Sequence, residues 1–277
     1  SPTRKLNPYA EEAERKGIKI YHLNIGQPDI ETPKLFFDSI GKYSGKTLGY
    51  AHSRGIKPLL QKIQEYYDKM GIHYEEDEIV ITYGGSEAVL FTMLAVFDEG
   101  DEMLVAEPYY ANYNSFCDVL NVKRNAVRTY AENGFHLPNR DEIEKYITPK
   151  TKAYMFSNPS NPTGVVSTKQ ELDDIAYLSK KHNMFIISDE VYREFVYGDR
   201  KAISFGTYKD LAENVIIIDS ISKRFSACGA RIGCIISKNK NFMNAVFREC
   251  QMRLSAPTLE MIGAAALYDL PSEYFEI

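Results

Sequence analysis

From about residue 79 the chain alternates short apolar, β-branched runs with longer amphipathic stretches, and no other feature restricts the fold as much. Ile79-Val80-Ile81-Thr82, Met103-Leu104-Val105-Ala106, Ala153-Tyr154-Met155-Phe156, Met184 to Ser188, Val215-Ile216-Ile217-Ile218 and Gly233-Cys234-Ile235-Ile236 read as strands. Helices are predicted between or after them over Ala88 to Phe97, Pro138 to Tyr146, Leu172 to His182 and Asn241 to Arg253. The alternation predicts a wound α/β domain with a largely parallel sheet whose loops gather at one edge. Upstream, the first thirty residues read as an arm. Asn7-Pro8-Tyr9 introduces a short charged helix to Lys16, and Ile18-Lys19-Ile20-Tyr21 alternates like a brief strand. Pro58 to Met70 is an amphipathic helix ended by Gly71.

The segment Ser220-Ile-Ser-Lys-Arg-Phe-Ser-Ala-Cys-Gly-Ala-Arg-Ile-Gly233 follows one of these strands and carries Lys223, with Arg231 eight positions later. A strand running into a loop fixes a backbone while leaving the side chain open to ligand. A partly desolvated lysine near an arginine is disposed to react as a free amine. With an arginine placed for an anion, this points to pyridoxal phosphate. A surface lysine and a structural arginine after a core strand are the plain alternative.

Other strand ends carry weaker signals. Tyr83-Gly84-Gly85-Ser86-Glu87, between a strand and a helix, can present free N–H groups to a phosphate, or be a turn with Ser86 as N-cap. Past Glu107-Pro108, Tyr109 and Tyr110 can pack or stack on a planar ring. Two Asn-Pro steps, at Asn158-Pro159 and Asn161-Pro162, hold a stiff turn with a carboxamide free to donate. Asp189 ends a strand, where it faces a ligand crevice or caps a helix, and Tyr192 follows it. Gly26, within Asn24-Ile25-Gly26-Gln27-Pro28, permits close backbone approach or simply turns the chain.

The totals exclude several function classes. A net charge of -5 gives no general pull toward nucleic acid or anionic membrane, so neither is expected as a partner. Cys117, Cys228, Cys234 and Cys250 form no C-x-x-C pair and have no zinc-like histidine spacing, so free thiols and no metal are expected. The charged opening and the lack of any apolar run near ~20 residues point to a cytoplasmic protein. Gly45-Lys46-Thr47 resembles the end of a P-loop, but position 40 is Ile where the first glycine is required. The nucleotide reading fails there.

Taken together, Asn24-Ile25-Gly26-Gln27-Pro28, Gly84-Gly85-Ser86, Glu107-Pro108-Tyr109-Tyr110, Asn158 to Gly164, Ser188-Asp189-Glu190-Val191-Tyr192, Ser220 to Lys223 and Arg231 resemble, in order and spacing, the fold-type I pyridoxal-phosphate enzymes. The similarity is to class I/II aminotransferases of the aspartate aminotransferase type. It implies a large α/β domain over residues 46–277, with 1–45 as an N-terminal arm and part of a small domain. It implies an amino group moved between an amino acid and a 2-oxo acid by a ping-pong mechanism, within amino acid metabolism and biosynthesis. Carried over residue by residue, Lys223 forms the Schiff base and serves as base. Asp189 keeps the ring nitrogen protonated, and Asn161 and Tyr192 hold the ring's 3′ oxygen. Arg231, Ser220, Gly85 and Ser86 hold the phosphate, Tyr110 stacks on the ring, and Gly26 lies along the substrate. Tyr50 reaches the phosphate of a neighbouring subunit, implying a homodimer. Family members continue past the point matching Ile277 with most of a C-terminal small domain and the arginine that grips the substrate α-carboxylate. Cofactor binding with poor turnover is expected without them. Arg253 is a weak candidate for a side-chain carboxylate ligand. Another reaction on the same cofactor, such as β-elimination, and a non-catalytic binding module are the alternatives.

Overall fold

The computed structural model describes residues 5–22 and 26–276. After helices α1 (Asn7–Arg15), α2 (Lys34–Gly41) and α3 (Lys57–Asp68), strand β1 (Ile79–Tyr83) leads into α4 (Gly84–Val96). Next come β2 (Glu102–Glu107), α5 (Asn112–Leu120), β3 (Lys123–Arg128), α6 (Arg140–Glu144), β4 (Thr151–Ser157), α7 (Lys169–His182) and β5 (Phe185–Asp189). The chain continues through β6 (Val215–Ser220), the single turn α8 (Ile221–Arg224), β7 (Ile232–Ser237), α9 (Lys240–Arg253) and α10 (Thr258–Leu267).

The seven strands form one sheet in the order β1-β7-β6-β5-β4-β2-β3. All neighbours are parallel except β7, which runs antiparallel to both β1 and β6. Every residue of β6 and β7 is buried, as strands covered on both faces require. The pleat splits the side chains of β1 and β6 between two cores. Ile79, Ile81 and Ile217 join Leu59, Leu60 and Ile63 of α3, Leu172 and Ile175 of α7, and Met261 and Leu267 of α10. Val80, Ile216 and Ile218 face Val89 and Phe91 of α4, Cys117 of α5, and Phe242 and Val246 of α9. The expected wound α/β architecture is therefore present, with one strand reversed.

Several elements differ from the sequence reading. Residues 18–21 form no regular element, so the brief strand is absent. Helix α4 starts at Gly84 rather than Ala88, and the predicted helix over Pro138 to Tyr146 shrinks to α6. Helix α7 starts at Lys169 because Thr168 and Glu171 form a capping box. Helices α2, α5 and α10 and strand β3 had no counterpart in the reading. Strand β3 lies at the sheet edge, and its Lys-Arg-Asn-Ala-Val-Arg sequence carries the charge that such edges favour.

Candidate active site

The lysine turn is built from the end of β6. Ser220 caps α8, its Oγ accepting from Ser222 N at 3.1 Å and donating to Ile232 O at 3.0 Å. Lys223 leaves this turn half-buried, and its Nζ donates to Gly26 O at 2.5 Å and lies 3.9 Å from Cys228 Sγ. Asn24 and Ile25, also singled out by sequence, fall outside the described residues.

Beside it the start of α4 meets Arg231 in a cradle of backbone N–H groups and a guanidinium. No side chain caps α4, and Glu87 turns back to accept from Tyr83 N at 2.8 Å. The first-turn N–H groups of Gly85 and Ser86 have no helical acceptor and sit at the positive end of the helix. Arg231 donates from Nη1 to Cys228 O at 2.9 Å and from Nη2 to Tyr83 O at 3.4 Å. Its guanidinium rests on Gly84, where a Cβ would lie 2.5 Å from Nη2. A Cβ on Gly233 would stand 2.6 Å from Gly84 C and 2.8 Å from Gly85 N, so β7 and α4 touch only because both positions are bare. Ser220 Cβ is 3.9 Å from the Cβ position of Gly85. Gly85, Ser86, Ser220 and Arg231 are thus gathered at one point.

Asp189 stands at the end of a neighbouring strand. It ends β5, is 8% exposed, and accepts from Tyr113 Oη at 2.6 Å and Val191 N at 3.4 Å. Burial pushes its carboxyl up to about 6, against the pull of those two donors. Tyr192 receives Asn161 Nδ2 at 3.3 Å, and its phenol is raised by burial and then by the Asp189 charge. Its Oη would lie 3.9 Å from a Cβ on Gly26, whose carbonyl takes the Lys223 amine. Tyr110, 39% exposed, stands edge-on to Tyr113 with ring centres 5.4 Å apart. Tyr113 therefore ties the Tyr110 ring to the Asp189 carboxylate. Sequence reasoning passed over it because α5 itself was not read; its signal was the helical spacing of three from Tyr110.

Other candidates separate from this set. Tyr50 lies between α2 and α3 and is 84% exposed, so one chain alone does not pack it into the cradle. Arg253 is a structural residue. Nη1 pairs with Glu87 at 2.7 Å, Nη2 donates to Ser53 O and Ile81 O, and the side chain is 9% exposed. Tyr109 stacks on Tyr113 and donates to Asn114, and the Asn158 carboxamide is used by Ser167 N. Gly45-Lys46-Thr47 follows α2 rather than a strand, in keeping with rejection of a P-loop. A small cavity lined by Tyr113, Ser157, Asn161 and Glu171 lies behind Asn161; Lys223 and Arg231 do not line it.

The chain matches the family described as aminotransferase class I and II over residues 18–268. It is 30% identical to the aspartate aminotransferase of Bacillus subtilis over 280 aligned positions, covering 100% of this chain and 71% of that protein. It is 35% identical to aromatic-amino-acid aminotransferase 2 of Thermococcus litoralis, over 79% of this chain and 57% of that one. The solved alanine aminotransferase of Pyrococcus furiosus superposes with a TM-score of 0.91 at 30% identity, covering 99% of this chain and 71% of the other. The chain thus spans between 57% and 71% of the length of these relatives. By this match and these likenesses the chain belongs to the class I and II aminotransferases.

Proposed function

We propose that this protein transfers an amino group between an amino acid and a 2-oxo acid, using pyridoxal 5′-phosphate, on which class I and II aminotransferases depend. The observation that carries the reading is the convergence of Lys223, Gly26, Tyr192 and Asn161 between the Gly85–Arg231 cradle and buried Asp189. The donor set fits the cofactor. At one end are two main-chain N–H groups, a hydroxyl and a guanidinium, suited to a phosphate. At the other, Asp189 accepts only from neutral donors while burial raises its carboxyl, so a protonated ring nitrogen is the partner that offsets its charge.

Bound there, the cofactor supplies an aldehyde that captures amines and a conjugated ring that takes up electrons when a bond at the substrate Cα breaks. Lys223 would offer its amine to that aldehyde and would carry the proton at the substrate Cα. Asp189 would hold the ring nitrogen protonated, and Tyr192 and Asn161 would donate to the ring's 3′ oxygen. Tyr110 would pack on the ring, and Gly26 would lie along the substrate. We further propose a homodimer in which the exposed Tyr50 reaches the partner's cradle. Leu48, 57% exposed, and the exposed Leu254 extend the apolar surface available to such a contact. In this reading residues 46–277 form the large domain, residues 1–45 an arm and part of a small one, and the four cysteines are thiols in the cytoplasm.

The test is an absorbance spectrum with added pyridoxal 5′-phosphate. A visible band that borohydride abolishes, and that Lys223→Ala lacks, is expected, together with oxo-acid-dependent amino transfer. An unchanged band in Lys223→Ala would refute the assignment of the lysine. Release of ammonia and pyruvate without an oxo-acid requirement would replace transfer by elimination.

A further inference from the structure

Beneath the lysine turn lies a buried network of four charges that the transfer chemistry does not itself employ. Asp219, Arg224, Glu190 and Arg193 have side chains no more than 5% exposed. Arg224 Nη2 bridges the two Asp219 oxygens at 2.9 and 2.7 Å. Asp219 Oδ1 also accepts from Ser220 N at 2.7 Å, and Oδ2 from Tyr67 Oη at 3.1 Å. Tyr67 Oη in turn accepts from Arg193 Nη2 at 2.9 Å, and Arg193 grips Glu190 Oε2 through Nε at 3.0 Å and through Nη2. Glu190 Oε1 is held by Ser188 Oγ, Ser204 Oγ and Phe205 N. The result is an unbroken path from the turn after β6 to the end of β5.

Its members are sequence neighbours of the site. Arg224 follows Lys223, Asp219 precedes Ser220, and Glu190 follows Asp189. Two carboxylates and two guanidiniums balance, yet burial of ion pairs is a weak source of stability, and apolar residues of similar volume often replace them without loss. What apolar packing cannot supply is direction. A single helical turn is free to rotate unless something pins it, and adjacent side chains leave a helix about 100° apart. Pinning the Arg224 guanidinium on Asp219, with its face over the Tyr66 ring at 4.2 Å, fixes where Lys223 exits.

We propose that Arg224, through Asp219, is a positioning residue that sets the exit direction of Lys223, and that the path through Tyr67, Arg193 and Glu190 holds that turn in register with Asp189. The proposal rests on the reading of Lys223 as the amine that captures the cofactor. Two variants test it: Arg224→Lys, which keeps the charge but loses the planar guanidinium that lies over Tyr66 and reaches Asp219 from Nη2, and the charge-balanced pair Asp219→Asn with Arg224→Met. Circular dichroism melts of cofactor-free protein establish folding. Affinity for pyridoxine 5′-phosphate, which has no aldehyde, reports the cradle alone, and stopped-flow capture of pyridoxal 5′-phosphate reports the amine.

Pyridoxine 5′-phosphate affinity within about threefold of the parent, with capture slowed about tenfold or more and the pH midpoint of the visible band displaced, is the expected result. Folded variants with unchanged capture and midpoint would overturn the proposal, as would equal losses for both ligands. Failure of both variants to fold would also overturn it, since the network would then be a stability element. A parent protein that binds pyridoxine 5′-phosphate but captures no aldehyde would instead refute the role of Lys223.

Discussion

Replacing Asp189 by asparagine should stabilise the cofactor-free protein at pH 8 while weakening its grip on the cofactor. Burial raises this carboxyl from the ordinary 3.8 to about 6. Between those values the folded state holds a proton that the unfolded state has lost, so stability falls as pH rises through the window and is level above about 6. At ~1.4 kcal/mol per pH unit, a difference of roughly two units amounts to about 3 kcal/mol of destabilisation at pH 8. Asparagine has no ionised form and removes that cost. Its Oδ1 can still accept from Tyr113, but its amide N–H meets the Val191 N–H, donor against donor, at a cost of about 1 kcal/mol. The net expectation is a gain of about 2 kcal/mol at pH 8, vanishing or reversing near pH 4.

The assay is urea unfolding of both proteins without cofactor, followed by far-ultraviolet circular dichroism because the chain has no tryptophan. Only the difference between them is read, which cancels the other carboxylates. With pyridoxal 5′-phosphate added the order should invert, because the ionised carboxylate then has a cation to face. A variant less stable than the parent at pH 8, or a difference that does not change between pH 4 and 6, would show that burial does not govern this carboxyl. A variant that binds cofactor as tightly as the parent would refute the pairing with the ring nitrogen.

Three further substitutions probe the supports of the site. Gly233→Ala drives a Cβ to 2.6 Å from Gly84 C, where only backbone can yield; about 2 kcal/mol of stability and at least tenfold in cofactor affinity should be lost, and an unchanged dissociation constant would argue against the cradle. Arg253→Met leaves half-buried Glu87 with only the Tyr83 N–H and should cost about 2 kcal/mol in urea unfolding. The ratio of dicarboxylic to aromatic substrates should stay the same, and a selective loss of dicarboxylate activity would restore Arg253 as a substrate ligand. Tyr113→Phe removes a donor from Asp189 and should move the midpoint of the pH-dependent stability change up by about one unit. An unmoved midpoint would mean that the phenol does not hold the carboxylate.

The strands that carry the site were legible because Val215 to Ile218 and the run ending at Ser188 are apolar and β-branched and stop at polar residues. Lys223 and Asp189 could therefore be placed at strand ends before any coordinates. What stayed hidden was either short of periodicity or contrary to composition. Helix α5, Asn-Tyr-Asn-Ser-Phe-Cys-Asp-Val-Leu, is made of residues with modest helical preference, so Tyr113 went unnoticed. Helix α10 contains Gly263, which reads as a break. A Cβ there would lie 2.6 Å from Phe36, so the glycine lets α2 and α10 approach. Arg224 and Asp219 look like surface charges in the sequence, and only three-dimensional pairing accounts for their burial. Arg253, where packing was the favoured reading over a ligand role, is paired in the same way.

The reversal of β7 decides whether these parts make one site. In a parallel sheet, ligand-facing residues come from the carboxyl ends of strands, and Gly85, Asn161, Asp189 and Lys223 lie at or just past the ends of β1, β4, β5 and β6. Gly233 instead lies at the beginning of β7, and Arg231 immediately precedes it. Were β7 parallel to its neighbours, that beginning would sit at the far edge of the sheet, ~20 Å away for a strand of ordinary length. The connection from β6 to β7, residues 221–231, includes α8 and is short for a parallel crossover, which takes about a dozen residues or more. The chain returns antiparallel instead, which sets Gly233 opposite both Thr82 and Ser220. That direction brings the Arg231 guanidinium to the α4 N-terminus beside the lysine turn.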